Sequence, residues 1–198
     1  MCGICGEFKF KERPFDDLKL TGLMDSIASR GRDSKGTFKN SDVFLGHHRL
    51  SIIDTSEKSN QPMVIENYVI VFNGIIYNYK DIRKKLIAKG HVFKSVGDTE
   101  VIVRSYIEYG DKCVDHFDGV FSFCIYNINN KNIFLARDRI GIKPLYYSIN
   151  DNELIFSSSM TGILKNKNNY EINPIACLLY TSDAADDSLR VDLGGRRI

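Results

Sequence analysis

Apolar and polar residues alternate in an orderly way up to about Ala176, and the period of that alternation changes from segment to segment. Cys2 to Phe8 is short, apolar and bounded by charge, which predicts a strand. Leu20, Leu23, Met24 and Ile27 recur at i, i+3, i+4 and i+7, one stripe of a helix, and Arg30-Gly31-Arg32-Asp33 ends it as a loop. Val43 to Ile53 and Tyr68 to Phe72 read as strands. Asn78 is placed to cap the next helix, with Asp81 in its first turn. Tyr79, Ile82 and Leu86 form its buried stripe, and Gly90 closes it. Asp98 or Thr99 caps a further helix to about Tyr109, with Ile102, Tyr106 and Tyr109 on one side. Gly119 to Ile128 and Asn132 to Arg137 are apolar runs split by Asn129-Asn130-Lys131, a hairpin signal. Tyr146 to Ile149 and Glu153 to Phe156 flank Asn150-Asp151-Asn152 as a second hairpin. Strands dominate and helices come in separate blocks, so the predicted class is α+β, with helices packed outside stacked sheets.

Leu178 to Ile198 breaks the pattern, turning Ala/Asp-rich and then Gly/Arg-rich without periodicity. Residues 177–198 are therefore set apart as a non-native-looking or disordered tail. At 198 residues the chain holds one medium domain that can bury its own core without a metal or disulfide.

Composition narrows the function classes. The formal net charge is +2 and the charges are mixed, which gives no clustered basic face for nucleic acid. Lys80, Arg83, Lys84, Lys85 and Lys89 form one basic concentration, read as the solvated face of a helix. No segment is long and apolar enough to span a membrane, and no signal-peptide pattern follows Met1, so a cytoplasmic location is expected. The five cysteines, an odd and irregularly spaced set, do not suit a disulfide framework.

Cys2 is the residue to explain. Removal of Met1 would leave one residue carrying both a free α-amine, titrating near roughly 8, and a thiol, titrating near roughly 8.5. An N-terminal amine can serve as base for its own side chain. Two other readings stand beside this one. Cys2 and Cys5 form a C-x-x-C pair suited to zinc or redox chemistry, although no second close Cys/His pair completes a zinc site. His47 and His48 are adjacent, and in a strand they face opposite ways. A buried, inert cysteine is the plainest reading of all.

Further segments bear on that choice. They are Met1-Cys2-Gly3-Ile4-Cys5-Gly6, Arg30-Gly31-Arg32-Asp33, His48-Arg49-Leu50-Ser51-Ile52-Ile53-Asp54 and Gln61-Pro62-Met63. Asn73-Gly74-Ile75-Ile76-Tyr77-Asn78, Gly97-Asp98-Thr99-Glu100 and Phe117-Asp118-Gly119-Val120-Phe121-Ser122-Phe123 follow, and the series closes with Ala136 to Tyr147. In this order, over about Met1 to Leu164, they resemble the class II glutamine amidotransferases, and within them the asparagine synthetases.

The resemblance implies the four-layer α-β-β-α sandwich of N-terminal-nucleophile hydrolases over residues 2–170. It implies hydrolysis of L-glutamine to glutamate and ammonia, with Cys2 as nucleophile and Asn73 and Gly74 as oxyanion donors. Arg49 would clamp the substrate carboxylate and Asp98 its ammonium, with Leu50, Ile52, Ile53 and Ile75 along the glutamine site. No cofactor or metal is implied for this domain. ATP and Mg are expected only in a C-terminal synthetase domain, absent here, that would receive the ammonia and make asparagine from aspartate. That domain is the implied partner, and the resemblance also admits a homodimer. A sugar or antibiotic precursor as acceptor, or a non-catalytic glutamine-binding module, are the alternatives.

Structural readings of the same residues stay open at this stage. Arg49 could be a surface strand arginine, Asp98 a helix cap, Asn73-Gly74 a hairpin corner, and Arg137-Asp138-Arg139 an ion network. Three departures from the family pattern stand out: Ile75 where Glu is usual, Arg32 in place of Pro, and no acidic residue in Phe156 to Met160. Ile75 predicts weaker binding of the substrate ammonium.

Overall fold

The computed structural model describes residues 1–51, 53 and 56–165. Ile52, expected along the glutamine site, and the 177–198 tail lie outside the described residues. Two antiparallel sheets are stacked. The first has five strands in the order β2 (Ser34–Lys39), β3 (Val43–Arg49), β1 (Gly3–Lys9), β9 (Glu153–Ser157) and β8 (Tyr146–Ile149). The second has four, in the order β4 (Met63–Ile65), β5 (Tyr68–Ile76), β6 (Gly119–Asn127) and β7 (Asn132–Arg137).

The period-2 alternation decides what each face meets. Ile4, Val43, Leu45, Val69, Val71, Cys124, Tyr126 and Phe156 project between the sheets and form one core. Their neighbours in sequence, Cys5, Phe44 and Ile155, face the other way and pack against α1 (Asp17–Ile27) and α4 (Met160–Leu164). Ile70, Phe72, Phe123 and Ile125 likewise face α2 (Tyr79–Ala88) and α3 (Asp98–Tyr109). The layers therefore run α-β-β-α, the sandwich expected from the resemblance. Each fully buried Leu, Ile or Phe in such a core contributes roughly 1.5–3 kcal/mol.

Several local expectations need correction. Asn73 and Gly74 make no corner, since both lie inside β5, paired with Ser122 and Phe121 of β6. Asn78 does not cap α2 through its side chain. It donates to His116 O at 2.9 Å and accepts from Asp118 N at 3.1 Å, tying the end of β5 to the turn before β6. Gly97 occupies the N-cap of α3, so Asp98 is its first residue rather than its cap. Arg137 and Asp138 serve the loop backbone instead of an ion network. Arg137 donates to Lys143 O, while Asp138 accepts from Phe121, Ile142 and Lys143 N. Burial raises the Asp138 pKa, but these N–H donors outweigh it and hold the carboxyl below its usual range.

Candidate active site

A cleft opens beside Cys2. Met1, Cys2, Arg49, Leu50, Ile53, Asn73, Gly74 and Asp98 line it, with Ser59, Gln61, Phe72, Gly97, Thr99 and Lys143. Residues far apart in sequence meet there because three elements end at this point. β1 begins just after Cys2, β3 ends at Arg49, and α3 begins at Asp98.

The Cys2 thiol is held by the chain leaving β3. Leu50 N donates to Sγ at 3.3 Å, and Sγ lies 3.5 Å from Leu50 O. Arg30 Nε donates to Cys2 O at 3.0 Å, which fixes the main chain on the other side. The Arg30–Asp33 loop lies against this corner, with Asp33 N donating to Arg49 O at 3.0 Å and the Asp33 carboxylate accepting from Ser51 N at 2.7 Å. Arg32, one of the departures, is exposed.

Cys5 has a different environment. It is buried on the far face of β1, 3.7 Å from Met24 Sδ, in the core under α1. Burial pushes the Cys5, Cys113 and Cys124 thiols up, which keeps them protonated and inert. The C-x-x-C reading thus finds its cysteines apart, Cys2 in the cleft just before β1 and Cys5 in the core under α1. Among the described residues no group of three or more His, Cys, Asp or Glu side chains could hold a metal ion.

Arg49 continues the inward stripe of β3 after Val43, Leu45 and His47, and is only 6% exposed rather than on the surface. Its guanidinium donates to Ser56 O at 3.0 Å and Asn60 Oδ1 at 2.8 Å, which fixes the plane that faces the cleft. Asp98 is 5% exposed and accepts from Ile76 N at 3.0 Å. Burial raises its pKa, and backbone N–H groups of Ile76, Asp98 and Thr99 only partly offset that. Placement in the first turn of α3 helps a buried carboxylate there.

Asn73 is 1% exposed, and its side-chain Nδ2 is buried with no hydrogen-bond partner among the described residues. A buried, unpaired donor is costly, and Asn73 lines the cleft, where a ligand could supply the missing acceptor. The Gly74 N–H is placed by register. β4 covers β5 only as far as the Met63–Ile70 pair. Beyond it, Phe72 N donates to Gln61 Oε1 at 2.6 Å and Ile76 N to the Asp98 carboxylate, so the N–H groups of 72, 74 and 76 share the edge away from β6. On β6, Phe121 N turns to Asp138 Oδ2 rather than to Gly74. The middle N–H of the three therefore faces the cleft beside Asn73. Glycine at 74 has a packing cause as well: a Cβ there would sit 2.3 Å from Val120 O. The close approach is to β6.

The sequence-predicted residues converge with two exceptions. Cys2, Arg49, Leu50, Ile53, Asn73, Gly74 and Asp98 line the cleft, whereas Ile75 is half-buried in β5 and outside the lining set, and Ile52 is not described. Sequence reasoning missed Lys143 and Gln61. Both lay in quoted motifs, Ala136–Tyr147 and Gln61-Pro62-Met63, but nothing in their spacing aimed them at Cys2.

The Glutamine amidotransferase domain model matches residues 1–189 of this chain. The chain belongs to the glutamine amidotransferase domain family. Among curated proteins, the domain is 38% identical over 169 residues to asparagine synthetase [glutamine-hydrolyzing] 3 of Bacillus subtilis, covering 83% of this chain and 27% of that protein. It is 39% identical over 189 residues to asparagine synthetase [glutamine-hydrolyzing] 1 of the same organism, covering 92% of this chain and 29% of that one. It thus spans little more than a quarter of the length of these relatives. Among solved structures, the glutamine phosphoribosylpyrophosphate amidotransferase of B. subtilis, complexed with ADP and GMP, superposes with a TM-score of 0.67 at 18% identity. That match covers 82% of this chain and 43% of the other, and it shows the shared fold. No helix of the described residues is long and apolar enough to cross a membrane.

His47 is a buried titratable group beside this site. Its Nε2 lies 3.1 Å from Phe72 O, and because a carbonyl only accepts, Nε2 carries the hydrogen. Burial, with the Arg49 and His48 charges adding to it, lowers its pKa from 6.5 to about 4. The unfolded chain therefore takes up a proton at higher pH than the folded one, and stability is lost as pH falls from 6.5 toward 4. At about 1.4 kcal/mol per pH unit the loss is about 3 kcal/mol. Urea unfolding near pH 7 and near pH 4 should show this decrement in the wild type and not in His47→Gln.

Proposed function

We propose that this domain hydrolyses L-glutamine to glutamate and ammonia, with Cys2 as nucleophile. The observation that carries the reading is the meeting, in the cleft at Cys2, of a buried arginine, a buried carboxylate and a buried amide donor that has no partner among the described residues. Loss of Met1, which lines the cleft, frees the Cys2 α-amine and clears room for the substrate. The amine takes the thiol proton, and Sγ attacks the side-chain amide carbon. Charge on the amide oxygen is met by Asn73 Nδ2 and Gly74 N–H. The ammonium formed from the amine returns its proton to the leaving nitrogen, and ammonia departs. Water, with its proton passed to the amine, then cleaves the thioester.

Arg49 and Asp98 hold the two ends of the amino-acid head group. Asp98 binds an ammonium only when ionised, so acidification weakens glutamine binding. Because burial raises its pKa, the acid limb of kcat/KM is expected to begin above the ordinary carboxylate range. Asp98→Asn should remove that limb and raise KM for glutamine by about 100-fold, in line with the loss of one buried charged contact. A limb that persists in Asp98→Asn would assign it to another group.

The ammonia is proposed to serve ATP-dependent synthesis of asparagine from aspartate on a partner synthetase domain. The names of the relatives in B. subtilis support this acceptor. Exposed apolar residues suit the docking of such a partner domain and do not choose the acceptor. Ile140 and Ile142, on the loop that brings Lys143 to the cleft, are 79% and 54% exposed, and Tyr147 and Ile149 of β8 are 66% and 61% exposed. The deciding experiment gives the partnered protein glutamine labelled with ¹⁵N in its amide, together with aspartate and ATP. Label in asparagine supports the proposed acceptor, and label in free ammonia alone would shift the reading to another one. A protein named Amidase chry2 of Gibberella zeae, 37% identical over 180 residues, favours keeping that second reading, transfer to a different acceptor, in view.

A further inference from the structure

The oxyanion donors are held in an unusual way. A strand edge inside a protein needs partners for every N–H and C=O, and the economical partner is another strand. β4 stops after the Met63–Ile70 pair, so β5 runs on with one bare edge. Side chains then do what a strand would have done, and only in part. Gln61 Oε1 accepts the Phe72 N–H at 2.6 Å, and Gln61 Nε2 donates onward to Thr99 Oγ1 at 3.4 Å. His47 Nε2 donates to Phe72 O at 3.1 Å from the opposite sheet. Asp98 accepts the Ile76 N–H at 3.0 Å. Both sides of position 74 are satisfied, and among the described residues position 74 is left open. A longer β4 would have taken the Gly74 N–H as well.

We propose that Gln61 and His47 are positioning residues that clasp the two peptide units of Phe72 and so set the aim of Asn73 Nδ2 and the Gly74 N–H. The inference rests on the glutaminase reading above. His47, fully buried, and Gln61, 8% exposed, have little freedom of their own. The Phe72 carbonyl belongs to the same planar peptide as the Asn73 nitrogen, so holding it fixes the direction from which the Asn73 side chain departs. Donors for a developing oxyanion must be in place before charge appears, and displacements well under 1 Å matter. Neither residue touches the reacting atoms.

The test uses the full chain with Met1 removed and Gln61→Met, His47→Leu and His47→Gln variants. Glutamate release from glutamine is measured together with binding of two ligands. One is the product glutamate. The other is the aldehyde analogue of glutamine, whose adduct with the Cys2 thiol places an oxygen where the oxyanion forms. Gln61→Met and His47→Leu are expected to lose about 10- to 100-fold in kcat with KM nearly unchanged. Aldehyde affinity should fall by the same factor while glutamate affinity is kept. His47→Gln, whose amide can still donate to Phe72 O, should recover most of the loss. Wild-type kcat in Gln61→Met and His47→Leu would overturn the clasp and leave the glutaminase reading standing. Equal losses of glutamate and aldehyde affinity would also overturn it, by reducing both residues to general structure. If Gln61→Met does not fold, the two His47 variants decide alone. A wild type that releases no glutamate overturns the glutaminase reading and the clasp with it.

Discussion

Replacing Cys2 by alanine is expected to lower glutamate release from glutamine by about 10⁴-fold or more, with glutamate binding kept. The size follows from the division of labour in the cleft. Binding groups and oxyanion donors remain in Cys2→Ala, but the covalent route is gone, and no other thiol among the described residues is placed to replace it. Cys5, Cys113 and Cys124 are buried, and burial pushes their thiols up. Cys2→Ser should also lose most activity, because a hydroxyl is a far weaker acid than a thiol and a weaker nucleophile. Residual activity within about tenfold of wild type would mean that water attacks the amide directly, and Cys2 would lose its role as nucleophile.

The second large effect is expected at Asn73. Asn73→Ala should lower kcat by about 100- to 1,000-fold, about 3–4 kcal/mol of transition-state stabilisation, with a much smaller change in KM. The wild-type Nδ2 is buried and has no hydrogen-bond partner among the described residues. Its removal therefore relieves a desolvated donor in the free enzyme, and Asn73→Ala should be no less stable to urea than wild type despite the loss of activity. Steady-state kinetics and urea unfolding on the same preparation test both halves. A large loss of stability would instead make Asn73 a structural amide of β5.

The period-2 stripe made the layered fold legible. Ile4, Val43, Leu45, Val69 and Val71 each face the opposite sheet because each is flanked by residues that face helices, and this can be read residue by residue. The bounds of β7 and β8 coincide with the apolar runs that predicted them. β2 was not legible. Its half-buried positions are Ser34, Gly36 and Phe38, and one apolar residue among the three is too little to mark a stripe. β4, three residues long, offers too short a pattern. The turn expectation at Asn73-Gly74 failed because cross-strand crowding by Val120, not a reversal of the chain, selects glycine there.

The site was legible only in part. Composition and spacing singled out Cys2 but left three readings of it open, and the grouping with Arg49, Asn73 and Asp98 came from the family resemblance. No periodicity predicts that the end of β3 meets the start of β1. Lys143, Gln61 and His47 depend on that tertiary meeting and on side-chain hydrogen bonds across it. Ile75, by contrast, drew notice through its departure from the family pattern and lies outside the cleft lining.

The most direct measurement is the intact mass of the protein, acid-quenched during turnover of glutamine. The expected species is a chain without Met1 that carries one glutamyl group, and digestion should place that group on Cys2. Glutamate accumulating with no adduct on any chain, or an adduct formed equally well on chains that retain Met1, would contradict catalysis by an N-terminal cysteine.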